Sequence, residues 1–184
     1  MLKQYFPSII RIFFKRIFLF GRNRYNQFCH INREGYGDFG RRFRYERKHP
    51  YKIFIGKETY TDDYNVWNAS SGDIQVGSHC WFGLYNIVMG PIRIGSLVST
   101  GPFVCFLGPR HAAGRERAEK STNVGDRVWI STGSIINFGV QIGNGSIIGP
   151  GSVIVSDVPE RSYFAGNPGR NLTRMVDPSW FEKR

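Results

Sequence analysis

Cysteine, histidine and long uncharged stretches are all scarce in this chain, and each scarcity excludes something. The three cysteines, Cys29, Cys80 and Cys105, cannot all pair, and none stands in a Cys-x-x-Cys spacing, so neither a disulfide framework nor a zinc or redox motif of that kind is expected. A reducing compartment is the simplest setting. Only four histidines, His30, His49, His79 and His111, are spread along the sequence, which argues against a multi-histidine metal centre. No uncharged run is long enough to cross a bilayer and no secretory cleavage pattern is present, so a cytoplasmic protein is expected. Also missing, from residue 73 onward, is a sustained 3.6-residue or two-residue apolar period of the kind that marks helices and paired strands.

In their place stands a period of six. Val76, Phe82, Val88, Ile94, Thr100 and Phe106 are six apart, and after a gap Val124, Ile130, Ile136, Ile142, Ile148 and Ile154 follow suit. Four residues after each comes a second, smaller set: Cys80, Asn86, Ile92, Val98 and Val104, then Val128, Ser134, Val140, Ser146, Ser152 and Val158. This spacing predicts an all-β solenoid, a parallel β-helix. Each hexad supplies one short strand and one corner, three hexads close a triangular coil, and the large residues stack inside from coil to coil. Cys80, on a small inward position, serves as a compact apolar filler.

The formal charge of +11 suggests a nucleic-acid binder until its distribution is read. Residues 1–57 hold fourteen Lys and Arg against Glu34, Asp38 and Glu46, which accounts for the whole +11 and leaves the solenoid neutral. Arginines interleaved with aromatics in 21–52 can stack on bases, but no recognised binding module accompanies them, and nucleic acid is not expected as a partner. Residues 8–20 carry a wide apolar face and a narrow basic one with Arg11 and Lys15. Two readings stay open for 1–20: a helix lying on an anionic membrane, or a helix docked on protein. The expected organisation is an amphipathic helix over 1–22 and a basic aromatic arm over 23–72. The arm ends in an irregular early coil near Lys52–Tyr60, whose register is broken by the turn formers of 62–72. The β-helix then runs over 73–159 and a terminal strand and tail over 160–184.

The gap in the repeat, about 107–123, is polar and charged and should leave the solenoid as an extruded loop. It contains one imidazole, His111, close to where the rigid coil ends. A neutral imidazole, with a reference pKa of about 6.5, can accept a proton from an alcohol.

Several local motifs surround that loop. Arg110-His111 precedes Val124-Gly-Asp-Arg-Val-Trp-Ile130, followed by Gly139-Val-Gln-Ile-Gly143, Ile148-Gly-Pro-Gly-Ser-Val153, Asp157-Val-Pro159 and Ala165-Gly-Asn-Pro-Gly-Arg170. As a set over 107–174 they resemble the hexapeptide-repeat acyltransferases, in particular the galactoside, maltose, streptogramin and polysaccharide O-acetyltransferases. The resemblance implies a left-handed coil and a homotrimer with sites between subunits. It also implies transfer of acetyl from acetyl-coenzyme A to a hydroxyl, for which no metal is expected. By that alignment His111 is the general base and the Thr132 backbone N–H stabilises the oxyanion. Trp129, Gly133, Pro150 and Ser156 line the thioester and pantetheine, and Arg170 and Arg174 meet the phosphates. Asn86 either contacts the acceptor or bonds the backbone. A membrane-facing amino terminus would suit a sugar or glycan acceptor, such as a cell-envelope polysaccharide or its lipid-linked precursor. Other acyl donors, a small acceptor such as an antibiotic, and a non-catalytic trimeric scaffold are the alternatives. The carbonic-anhydrase branch of the fold lacks its clustered histidines here.

Overall fold

The computed structural model describes residues 31–33, 44–47, 51–111 and 120–181, with side chains for 51–110 and 120–181. The helix expected over 1–22 and the middle of the loop, 112–119, lie outside the described residues. The strands fall into three sheets that form the walls of a solenoid. Wall A comprises Ile31–Arg33, Ile53–Ile55, Ile74–Val76, Ile92–Ile94, Thr122–Val124 and Gln141–Ile142. Wall B runs through Tyr60–Thr61, Trp81–Phe82, Ser99–Thr100, Trp129–Ile130, Ile147–Ile148 and Tyr163–Ala165, and wall C through Arg44–Arg47, Val66–Ala69, Ile87–Met89, Cys105–Phe106, Ile135–Ile136 and Val153–Ile154. Every pairing within these walls is parallel. The exception among the described residues is Arg170–Asn171, which folds back antiparallel on Tyr163–Ala165.

Register follows from the hexads. Trp81 pairs with Ser99, and Ile87 with Cys105, eighteen residues apart, so three hexads make a coil. Both hexad columns point inward: Phe82, Val88, Phe106, Ile130, Ile136, Ile148 and Ile154 have no exposed surface, and Val98, Val104, Ser134, Ser146 and Ser152 are equally buried. Burying each large aliphatic or phenyl side chain stabilises by about 1.5–3 kcal/mol. The hydroxyls are satisfied by corner carbonyls, as Ser134 Oγ is at 2.8 Å from the Ser131 oxygen and 3.0 Å from that of Gly149. Cys80 fills its inward slot as expected, with Sγ 3.2 Å from the Gly95 carbonyl, and burial pushes its thiol pKa up.

The coil starts earlier than Asp73. Ile53–Ile55, Tyr60–Thr61 and Val66–Ala69 make a complete coil paired to the next, and Ile31–Arg33 and Arg44–Arg47 extend two walls further. Residues 62–69 therefore keep the register rather than break it. Asp62, Asp63 and Tyr64 turn a corner, and Trp67 takes the inward place with no exposed surface, edge-on to Phe82 with ring centroids 5.0 Å apart. The phase slips only beyond Ala69, so that Tyr60 pairs with Trp81 twenty-one residues on. Trp67→Ala is expected to cost about 3–5 kcal/mol, read from the urea midpoint, because the stacked coils cannot collapse into so large a cavity.

The loop is a clean insertion. Ser99 pairs with Trp129 thirty residues on, twelve more than an ordinary coil, and the walls resume unshifted. Leu107 N–H still donates to the Ile136 carbonyl at 2.9 Å, Pro109–His111 forms a 3-10 turn, and Thr122 is back on wall A.

Candidate active site

Each coil turns from wall A to B, from B to C, and from C to A, and the residues singled out by motif collect on two of these corners. Thr132, Gly133 and Pro150 lie on successive coils of the B-to-C corner, before Ile135–Ile136 and Val153–Ile154. His111 and Ser156 lie on the C-to-A corner, beyond Cys105–Phe106 and Val153–Ile154. Trp129 stands on wall B beside the first corner, in register with Ser99 and Ile147 and 38% exposed. Arg170 and Arg174 are exposed on the returning strand and the 3-10 turn after it. The last strand of wall B closes over the start of the corner: a Cβ at Gly149 would lie 2.7 Å from the Tyr163 hydroxyl and 2.8 Å from Ala165 Cβ.

The B-to-C corner is shaped around one amide. Gly101 makes room for Thr132, since a Cβ there would fall 2.6 Å from the Thr132 nitrogen. Gly133 N–H donates to the Pro102 carbonyl and Gly151 N–H to that of Thr132, both at 2.9 Å, so Pro102, Thr132 and Pro150 are equivalent positions of three stacked coils. Prolines have no N–H, and among the described residues nothing accepts from that of Thr132. An exposed donor is thus bracketed above and below by positions that have none. Beside it the surface is open, because a Cβ on Gly151 would meet nothing within 4 Å.

The next position of this corner holds a column the hexad reading passes over: Tyr64, Tyr85, Phe103, Gly133 and Gly151. All five have left-handed φ, at 65°, 59°, 60°, 71° and 64°. Glycine adopts this freely, whereas an L side chain there costs roughly 1–2 kcal/mol, or about 3–6 for three. The rings stack face to face, Tyr64 on Tyr85 at 4.7 Å and 12°, Tyr85 on Phe103 at 5.1 Å and 0°. Two such pairs contribute only about 1–3 kcal/mol. Exposure of 36%, 45% and 58% limits what burial adds. The eighteen-residue spacing of Tyr85 and Phe103 is visible in the sequence; their backbone conformation is not.

Wall C separates the two corners. Five of its outward positions, Val66, Ile87, Cys105, Ile135 and Val153, are in register and apolar, with Ile87 and Ile135 36% and 37% exposed. Burial raises the Cys105 thiol pKa, so it acts as an apolar group of this column rather than a nucleophile. His111 and Thr132 therefore flank opposite ends of the same wall's strands and are not brought together within one chain's coil.

Asn86 does not reach this surface. It is fully buried, its Nδ2 donating to Thr100 Oγ1 at 2.6 Å and its Oδ1 accepting from Val104 N–H at 2.7 Å, so the backbone-bonding role is the one the fold uses. Asn65 does similar work one coil earlier, donating to the Asp62 and Gly83 carbonyls. His79 faces out as expected, with Nδ1 3.0 Å from the Glu58 carboxylate.

The bacterial transferase hexapeptide (six repeats) family matches residues 121–156. The galactoside O-acetyltransferase of Escherichia coli (strain K12) is 41% identical over 120 residues, covering 61% of this chain and 59% of that protein. The galactoside O-acetyltransferase of Lactococcus lactis subsp. lactis (strain IL1403) is 28% identical over 154 residues, 84% of this chain and 63% of that one. Among solved structures, a hexapeptide-repeat containing acetyltransferase from Vibrio cholerae O1 biovar eltor, complexed with acetyl coenzyme A, superposes with a TM-score of 0.53 at 27% identity, over 80% of this chain and 73% of that one. The chain thus spans about three fifths of the length of the two galactoside O-acetyltransferases. Its six-residue repeat and three parallel walls give the chain the left-handed β-helix of the hexapeptide-repeat fold, and in sequence it is similar to the hexapeptide-repeat acetyltransferases.

Proposed function

We propose that this protein is an O-acetyltransferase that moves the acetyl group of acetyl-coenzyme A to a hydroxyl of a sugar or glycan. The observation that carries the reading is the Thr132 amide, alone between two prolines and beside the open Gly133 and Gly151. The galactoside O-acetyltransferases it resembles, and the acetyl-coenzyme A complex of its structural relative, support the donor and the acceptor class. Pro150 lies along the path of the pantetheine arm, with Arg170 and Arg174 as cations for its phosphates. Acetyl-coenzyme A supplies the activated acyl group. His111 accepts the proton of the acceptor hydroxyl as that oxygen forms its bond to the thioester carbonyl carbon. Thr132 N–H donates to the carbonyl oxygen as charge develops there. When the carbon–sulfur bond breaks, His111 returns the proton to the departing thiolate, so no covalent enzyme intermediate is required.

These roles need two copies of the chain. His111 and Ser156 stand beyond wall C and Thr132 before it, while the apolar column between them suits burial against another copy. A homotrimer in which the C-to-A corner of one copy meets the B-to-C corner of the next unites them, with Trp129 as a wall. A cytoplasmic protein held at the inner membrane face through residues 1–20 would fit a cell-envelope glycan or lipid-linked acceptor.

Incubation with labelled acetyl-coenzyme A and a panel of envelope sugar nucleotides, lipid-linked glycans, amino sugars and antibiotics tests this. Label should enter a sugar hydroxyl; absence of coenzyme A binding by calorimetry would leave only a scaffold.

A further inference from the structure

We propose that Phe103 is the floor of the acyl-binding notch and limits the donor to a two-carbon acyl group. The inference rests on the coenzyme reading of the Thr132 corner and adds to it a determinant of donor length. Along the third position of the B-to-C corner, two glycines on the upper coils give way abruptly to a phenyl ring. Above that step, Gly133 and Gly151 leave a channel two coils tall, about 10 Å given the spacing of neighbouring strands. Below it, Phe103 is 58% exposed and, as the topmost ring of the column, turns an uncovered face toward the glycines.

Gly133 directly follows Thr132, so a carbonyl accepting from the Thr132 N–H sits over this step. The coenzyme enters from the carboxy-terminal side, where Pro150 and Arg170 are placed. At a trigonal carbonyl carbon the sulfur and the acyl substituent leave on different sides. With sulfur toward Pro150, the acyl carbons point down the corner and onto the ring. A methyl group ends at van der Waals contact, and further methylenes run into the phenyl. The ring has no room to tilt downward, because Tyr85 lies parallel beneath it at 5.1 Å and Tyr64 lies beneath Tyr85 at 4.7 Å. This gives the three strained aromatic residues a use that glycine at the same positions would not serve.

Phe103→Gly is the test, since it installs the residue this column already uses at Gly133 and relieves rather than creates backbone strain. Dissociation constants for acetyl-, propionyl- and butyryl-coenzyme A would be measured by calorimetry, with kcat/KM for each donor alongside. The native protein should discriminate against butyryl by about 100-fold, in the range that misfitting methylenes command. The variant should narrow this to within about tenfold, read as the ratio of butyryl to acetyl in both measurements. Unchanged discrimination in the variant, or a native protein that takes butyryl as readily as acetyl, would overturn the acyl stop alone. A rise in the acceptor's KM with an unaltered donor profile would assign Phe103 to the acceptor instead, also against the proposal. Failure of the native protein to bind any of the three coenzymes would overturn the functional reading, and the acyl stop with it.

Discussion

His111→Ala should lower kcat by about 10²–10⁴-fold, the contribution of a positioned general base, and leave the dissociation constant for acetyl-coenzyme A within about twofold. The split follows from placement. His111 ends the 3-10 turn Pro109–His111 on the C-to-A corner, whereas Thr132, Gly133 and Pro150 belong to the B-to-C corner. Removing the imidazole therefore touches proton transfer and not the groove offered to the coenzyme. The fold should not notice, because the insertion begins only after Leu107 has made its ladder bond to Ile136. Rapid-quench or thiol-release kinetics, calorimetry and circular dichroism on the same preparation separate these effects. Turnover retained within a few-fold would mean that a different group takes the proton.

Thr132→Pro should be nearly as damaging for the opposite reason, a loss of about 10²–10³-fold in kcat through one missing donor to the developing oxyanion. Proline is ordinarily a severe substitution, but Pro102 and Pro150 already occupy this corner position on the coils below and above. Among the described residues the Thr132 N–H bonds nothing that the change would break. The melting temperature should accordingly shift by no more than a few degrees. Thr132→Ala retains the amide and should retain most of the activity, which separates backbone from hydroxyl. Equal losses in the two variants would place the hydroxyl, not the N–H, in the reaction.

Much of the architecture is legible in the six-residue period, because every coil must bury the same two columns and any substitution by a large polar group would leave it unsatisfied inside. Phe82, Phe106 and Ile136 are found where the period puts them. Trp67 and Asn65 are not, since the three extra residues near Ala69 shift the phase and make a regular coil look like a turn-rich linker. The site is half legible. The motifs around His111, Thr132 and Pro150 stand out as residue strings, yet they fall on two corners of one prism. Nothing in the twenty residues between His111 and Thr132 says so until the register of wall C is known. The outward column of Ile87, Cys105, Ile135 and Val153 could be read one place before each inward residue, but its meaning depends on lying between those corners. The Tyr64, Tyr85 and Phe103 column is the hardest to foresee, because left-handed backbone is foreshadowed by glycine or asparagine and these are aromatics.

Mixing the two inactive variants tests the shared site most directly. Co-refolded or co-expressed His111→Ala and Thr132→Pro chains assemble at random. In a closed ring each site takes its imidazole from one copy and its amide from the next, so about one site in four, a half times a half, receives both intact groups. Acetyl transfer should therefore return to about a quarter of the native rate from two preparations that are separately inactive. Activity that stays at the background of either variant alone, in mixed oligomers verified by differential tagging, would mean that one chain holds the whole site.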